Sequence, residues 1–199
     1  MKKGVISKAW IIEESVKILN SKGIDLTLNQ LASNLGISRG RINHFYNTKD
    51  ALFIAISNDY EEKLKQINEE YNLITKELTF QSIRDRFSII MNHQYNYRCA
   101  ILYISCFSNS DLEMREHIKE TYRNNKEKIY ALLQGMVKLD LLKDAILEEE
   151  NFQLFNFQFV NLFTTWVIHF EIYDKKDGFE KIKPIYLEGI MQCFDRYKK

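Results

Sequence analysis

Between Leu31 and Phe45 the chain reads Leu-Ala-Ser-Asn-Leu-Gly-Ile-Ser-Arg-Gly-Arg-Ile-Asn-His-Phe, and its side chains divide between two tasks. Arg39 and Arg41 carry guanidinium forks that can bond guanine or phosphate. Asn43 carries an amide able to bond adenine through two atoms, and His44 an imidazole that can donate or accept. The chemistry on offer is recognition of an anionic partner that bears bases.

Such groups are useful only if something holds them on one side of a rigid element, and the apolar residues of the same stretch fit that need. Thr27 can cap a helix carrying Leu28, Leu31, Ala32 and Leu35, and Ser38 can cap a short one reaching about Phe45. Ala32 is small where two helices must approach closely. Gly36 permits a turn with positive φ, Ile37 plugs the corner, and Leu31, Leu35, Ile42 and Phe45 form a shared underside. This is the pattern of a helix-turn-helix. Packing the underside inward leaves Arg39, Arg41, Asn43 and His44 to face outward, although an ordinary helical corner with a merely hydrated polar face would use the same residues.

The distribution of charge agrees with the first reading. The whole chain has a formal charge of +1. Residues 1–50 hold eight Lys and Arg against four acids, net +4, which leaves net −3 for the remaining 149. A basic head on a mildly acidic body can draw an anionic partner by its local field.

Gly and Pro number 7 and 1 in 199 residues, too few for the turns of a sandwich, barrel or βαβ repeat, so the expected class is all-α with about nine helices. Periodicity places the first helix from Ser7 to Lys22-Gly23, and a fourth from Thr48 to about Tyr71. Others span Ile83 to Tyr95, with a break near Tyr97-Arg98, and Ile101 to Phe107. A long one follows the capping residues Asn109-Ser110-Asp111 as far as Met136. The last two run from Glu148 to Tyr173 and from Phe179 to Tyr197. Three cysteines without paired spacing, no apolar leader, and no clean apolar run of membrane-spanning length predict a cytoplasmic protein without a membrane partner.

The run Ile12 to Ile56 resembles the N-terminal DNA-binding domain of the tetracycline-repressor (TetR) family. The likeness rests on Lys22-Gly23, Thr27, Leu31-Ala32, Leu35-Gly36-Ile37-Ser38-Arg39-Gly40, His44-Phe45-Tyr46 and Lys49-Asp50-Ala51-Leu52. The resemblance implies a homodimeric transcriptional regulator with a DNA-binding domain over 1–50 and an effector-binding and dimerisation domain over 51–199. It implies that Thr27 and Lys49 grip phosphates of an operator duplex, and that Arg39, Arg41 and His44 lie where family members touch bases or backbone. Ser38 and Asn43 complete the expected DNA-contacting set. Asn43 stands where the family usually has Tyr, so either it reads adenine or that contact is lost.

In the C-terminal half, the helix from Phe152 to Tyr173 is apolar nearly all round, which requires cover on both sides. A second subunit is the expected cover on one of them. Phe155, Phe159 and Phe163, with Ile190 and Phe194 of the last helix, are the expected interface of a four-helix dimer contact; a central helix of a monomer is the alternative. Asn92, His93, Tyr95, Tyr97, Tyr103, Cys106, Tyr122, Trp166 and His169 could together line a cavity suited to a small apolar or aromatic effector. No cofactor or metal is expected, because His93, Cys99 and Cys106 lack the spacing of a closed zinc site. No phosphate loop or nucleophile elbow is present, and no enzyme activity is expected. The expected function is a ligand-responsive DNA-binding regulator, a repressor released by its effector. The competing reading is a helical small-molecule-binding or adaptor protein that does not read DNA.

Overall fold

Ser7, Thr27 and Ser38 each have an extended backbone and begin a helix, since each hydroxyl accepts a hydrogen bond from a backbone N–H that the first turn leaves unpaired. The helices so started in this computed structural model are α1 (Lys8–Lys22), α2 (Leu28–Leu35) and α3 (Arg39–Phe45). The structure describes residues 7–74, 77–105 and 111–199. At Thr27 the cap is reciprocal, with Gln30 N–H donating to the hydroxyl at 3.2 Å and Thr27 N–H donating to the Gln30 side chain at 2.8 Å. Gly36 takes the left-handed conformation at φ 68°. Its N–H reaches the Ser33 carbonyl at 3.1 Å and the Ile37 N–H reaches that of Ala32 at 3.0 Å, which closes α2 and turns the chain into α3.

Six more helices follow: α4 (Lys49–Ile74), α5 (Phe80–Asn96), α6 (Arg98–Ser105), α7 (Leu112–Lys138), α8 (Glu149–His169) and α9 (Phe179–Gln192). Asp111 caps α7 as expected, accepting from Met114 N–H at 2.9 Å; Asn109, Ser110 and Phe107 lie outside the described residues. The fold is all-α, with no strand among the described residues and a single antiparallel bridge between Leu142 and Lys198. No described helix is long and apolar enough to cross a membrane. Two details differ from the sequence reading. The last helix stops at Gln192, with a separate 3₁₀ turn at Asp195–Tyr197, and α8 runs into a π-helical turn at Phe170–Asp174. Apolar periodicity reports which face is inward, and it does not resolve a change in winding of this kind.

The chain forms two compact units. The first comprises the described residues of Met1–Lys65 with His93–Ile118, so it takes in segments beyond the first fifty residues. Its core joins Ile11 and Leu19 of α1, Leu31 and Ala32 of α2, Ile42 of α3, and Leu52, Phe53 and Ile56 of α4 to Cys99 and Met114. Asn20 fastens α1 to the corner between α5 and α6. Its Oδ1 accepts from Cys99 N–H at 2.9 Å, its Nδ2 donates to the Asn96 carbonyl at 2.6 Å, and its own carbonyl accepts from Arg98 at 3.0 Å.

The second unit comprises the described residues of Gln66–Asn92 and Lys119–Lys199. Its interior is dominated by rings. Phe155 packs against Phe159 and Phe194 at 5.4 and 5.1 Å between centroids, Phe87 against Phe159 and Phe163 at 5.4 and 5.0 Å, and Trp166 against Phe179 at 5.3 Å. Each such pair adds to the burial of apolar area that dominates core energetics.

Candidate nucleic-acid interface and effector region

Ile42 and Tyr46 are buried at 0 and 2 % exposure, which fixes the rotation of α3 about its own axis. The consequence is the arrangement read from the sequence: Arg39, Arg41, Asn43 and His44 are all exposed, and none lies beneath a neighbouring helix. Arg41 lies 5.2 Å from the Phe45 ring centre, a cation–π contact that steadies the side chain. At the end of the helix Lys8 stands 5.6 Å above the Tyr46 ring, adding a cation from α1 that the sequence reading counted only as part of the basic head. Lys2 and Lys3 lie outside the described residues.

Thr27 and Ser38 are exposed but already act as helix caps, so any contact they make with an outside group adds to a structural role. Lys49 opens α4 and is half-buried, with Nζ 5.2 Å from the Tyr103 ring centre. Burial pushes its ammonium below the usual range, against the opposing pull of Asp25 and Asp50.

The residues expected to line one effector cavity are divided between the two units and are mostly engaged already. In the first unit, the Tyr103 hydroxyl donates to Asp50 at 2.5 Å while its ring stacks on Phe53 at 3.7 Å. The other Asp50 oxygen accepts from the backbone N–H of Asp111 at 2.7 Å. Burial, reinforced by the bond to Asp50, pushes the Tyr103 phenol well above its ordinary range, so it stays neutral. The Tyr97 hydroxyl donates to Asp59 at 2.5 Å and accepts from Lys63 at 2.7 Å. Arg98 stacks on Tyr95 at 4.5 Å.

His93 is buried, stacked on Tyr60 at 4.6 Å, with Nε2 donating to the Tyr60 carbonyl at 2.9 Å. Burial holds its pKa below the ordinary 6.5, with Lys63 acting the same way and the Tyr60 carbonyl, Asp59 and Glu61 opposing. Above pH 6.5 both folded and unfolded chains carry a neutral ring and nothing changes. As pH falls below 6.5 the unfolded chain takes the proton first, so stability drops until the folded ring also titrates. Urea unfolding midpoints measured down through that range should fall less steeply in His93→Gln than in the parent; an unchanged slope would contradict the burial assigned to this ring.

In the second unit, Asn92 is exposed and accepts from Lys183 at 2.8 Å. His169 is exposed at the end of α8, 3.4 Å from Asp174, and Trp166 is buried against Phe179. Cys106 lies outside the described residues. Tyr122, half-exposed on α7, accepts a hydrogen bond from Asn156 Nδ2 at 3.1 Å. Asn156 escaped the sequence reading because it sits among phenylalanines on a helix judged by its apolarity. Its Oδ1 is buried without a partner, a state that costs on the order of 1–3 kcal/mol.

The expected dimer-interface residues require correction. Phe155, Phe159, Ile190 and Phe194 have 1, 3, 1 and 0 % exposure, and Phe163 packs on Phe87, so this side of α8 and α9 faces the unit's own interior. The outward apolar face is the other one, formed by Leu154, Phe157 and Leu162 of α8 with Ile185 of α9. Among the described residues no group of three or more His, Cys, Asp or Glu is arranged to hold a metal ion. Burial pushes the Cys99 thiol up to about 12, far from the thiolate needed for ligation or redox chemistry.

Residues 11–56 match the model of the bacterial regulatory proteins of the tetR family, a segment that contains α2, α3 and the turn between them. The chain is 32 % identical over 72 residues to an uncharacterised HTH-type transcriptional regulator, YvaF, of Bacillus subtilis (strain 168); the match covers 33 % of this chain and 38 % of that protein. Its fold is similar to that of a TetR-family transcriptional regulator from Marinobacter aquaeolei VT8, with a TM-score of 0.77 at 17 % identity over 98 % of this chain and 92 % of the other. It is also similar to SmeT, solved in complex with triclosan, with a TM-score of 0.63 at 12 % identity over 95 % and 90 % of the two chains. At such identities the structural likeness speaks for the fold, whereas the helix-turn-helix match speaks for its use. The segment that holds α2 and α3 thus matches the tetR-family model, and the chain has the fold of the TetR-family regulators to which it is similar.

Proposed function

We propose that the protein is a homodimeric repressor whose two copies of α3 enter successive major grooves of an operator, and which a small molecule releases. The observation that carries this reading is the composition of the exposed side of α3. Arg39, Arg41, Asn43 and His44 stand in solvent on a helix whose other side is anchored by Ile42 and Tyr46. Arg39 and Arg41 bond guanine or phosphate, Asn43 bonds adenine, and His44 completes the row. Thr27, Ser38, Lys49 and Lys8 flank it and supply phosphate contacts.

The second copy is required by geometry, because one short helix reads only a few base pairs and a two-fold pair spans half-sites roughly 34 Å apart. The outward apolar face of α8 and α9 is the surface on which that copy seats, since exposed apolar groups in a row mark protein contacts. The second unit takes the effector. A relative in fold that holds triclosan supports a small molecule as its ligand. Residues 1–50 then serve DNA recognition and 51–199 effector binding and dimerisation. The effector acts by binding one of two conformations better, so operator affinity falls by its differential binding energy. Footprinting of the purified protein on the DNA upstream of its own gene tests the reading. The expected result is a protected site with two-fold symmetry and an affinity that falls steeply with salt, and the absence of salt-sensitive protection on any fragment would overturn it.

A further inference from the structure

Asn156 is the one buried polar side chain of the second unit among the described residues; Ser15, Asp50, Ser57, His93 and Gln94 all belong to the first. It sits on the inward face of α8, between Phe152 one turn before and Phe159 one turn after. A residue there for packing alone would be Leu or Met, because an amide gives up its hydration and fills no more space. One end of the amide is bonded: Nδ2 donates to the Tyr122 hydroxyl at 3.1 Å. The other end, Oδ1, is buried with no partner. Exchanging the oxygen and nitrogen of the amide leaves the same result, since a tyrosine hydroxyl can donate or accept and one amide atom still lacks a partner.

We infer that Asn156, held in orientation by Tyr122, is the polar anchor for a neutral, hydroxyl-bearing aromatic ligand. A hydroxyl both donates and accepts, so it satisfies the vacant amide atom in either orientation. No charged side chain is buried in this unit among the described residues, so a charged ligand would be desolvated without a counter-charge. Phe159, one turn after Asn156 on α8, packs with Phe87 and Phe163 as tilted and offset rings, so the surroundings of the amide are aromatic. Tyr122 is half-exposed, so the anchor is tied to a side chain that reaches solvent. The inference rests on the effector reading given above and names the chemistry of that effector.

The test is a titration of the full chain, without DNA, by 4-phenylphenol and by biphenyl, followed through tryptophan fluorescence and calorimetry. 4-Phenylphenol is expected to bind about tenfold or more tightly than biphenyl, which lacks only the hydroxyl. In Asn156→Leu the preference should vanish while biphenyl binding survives, and the unfolding midpoint should hold or rise because a buried unpaired oxygen is gone. Tyr122→Phe, at a half-exposed position, should reduce the preference in part. Equal binding of the two probes, binding of neither up to its solubility limit, or a preference that persists in Asn156→Leu would overturn the inference. The effector reading is judged separately by adding 4-phenylphenol to the protein–operator complex. If the hydroxyl preference holds but operator DNA is not released, the anchor stands and the effector reading falls. Release by a compound whose action Asn156→Leu leaves unchanged sinks the anchor and keeps the effector reading.

Discussion

Alanine at both Arg39 and Arg41 is expected to lower operator affinity by roughly 100-fold or more, with the urea unfolding midpoint close to that of the parent. Each arginine that bonds a base or phosphate is worth about 1–3 kcal/mol of binding, and the two losses fall on one side of one helix. Both side chains are exposed, so their removal takes little from the core; the Arg41 contact over Phe45 is worth about 0.5–1 kcal/mol. A salt series separates the roles. The arginine that meets phosphate flattens the slope of log affinity against log salt by about one when it is lost, and the one that meets a base relaxes selectivity instead. Should the double variant bind as the parent does, α3 does not touch DNA, and the competing picture of a small-molecule-binding or adaptor protein takes over.

A second large effect separates two phenylalanines that lie two positions apart in sequence and are opposite in environment. Phe155→Ala removes a ring that is 1 % exposed and packed on Phe159 and Phe194, so it should destabilise the protein by about 3–5 kcal/mol, read as a lowered urea midpoint with unchanged slope. Phe157 is 68 % exposed on the outward face of the same helix. Phe157→Glu places a charge where a second copy would seat, and sedimentation should show a folded monomer in place of a dimer. The reversed pattern, a folded monomer from Phe155→Ala and a dimer with a lowered midpoint from Phe157→Glu, would restore the interface expected from the sequence and contradict the orientation of α8.

The helix-turn-helix was legible because its determinants are local. Ser7, Thr27 and Ser38 cap helices by bonding N–H groups three residues on, and Gly36 closes α2 with bonds to carbonyls three and four positions back, so the pattern of types already contains the geometry. The alternation of Leu31, Leu35, Ile42 and Phe45 with polar residues then allows only one inward face, and Arg39, Arg41, Asn43 and His44 follow as the outward one. The break at Tyr97-Arg98 and the cap at Asp111 were readable for the same reason.

On α8 that logic fails. Phenylalanines occupy both of its sides, so periodicity cannot tell which is core; Phe87 and Phe194, packed on Phe155, Phe159 and Phe163, make that side the interior. The pairings that fix the polar aromatic residues join distant parts of the chain: Tyr103 to Asp50, His93 to Tyr60, and Asn156 to Tyr122. Short-range chemistry, in caps, turns and a one-sided apolar stripe, therefore determined the fold class, the starts of the first three helices and the outward side of α3 from the residues alone. Only the tertiary structure decided which ring faces inward and which polar atom goes without a partner, because burial is a property of what packs from elsewhere and leaves no mark on the spacing of the residues it selects.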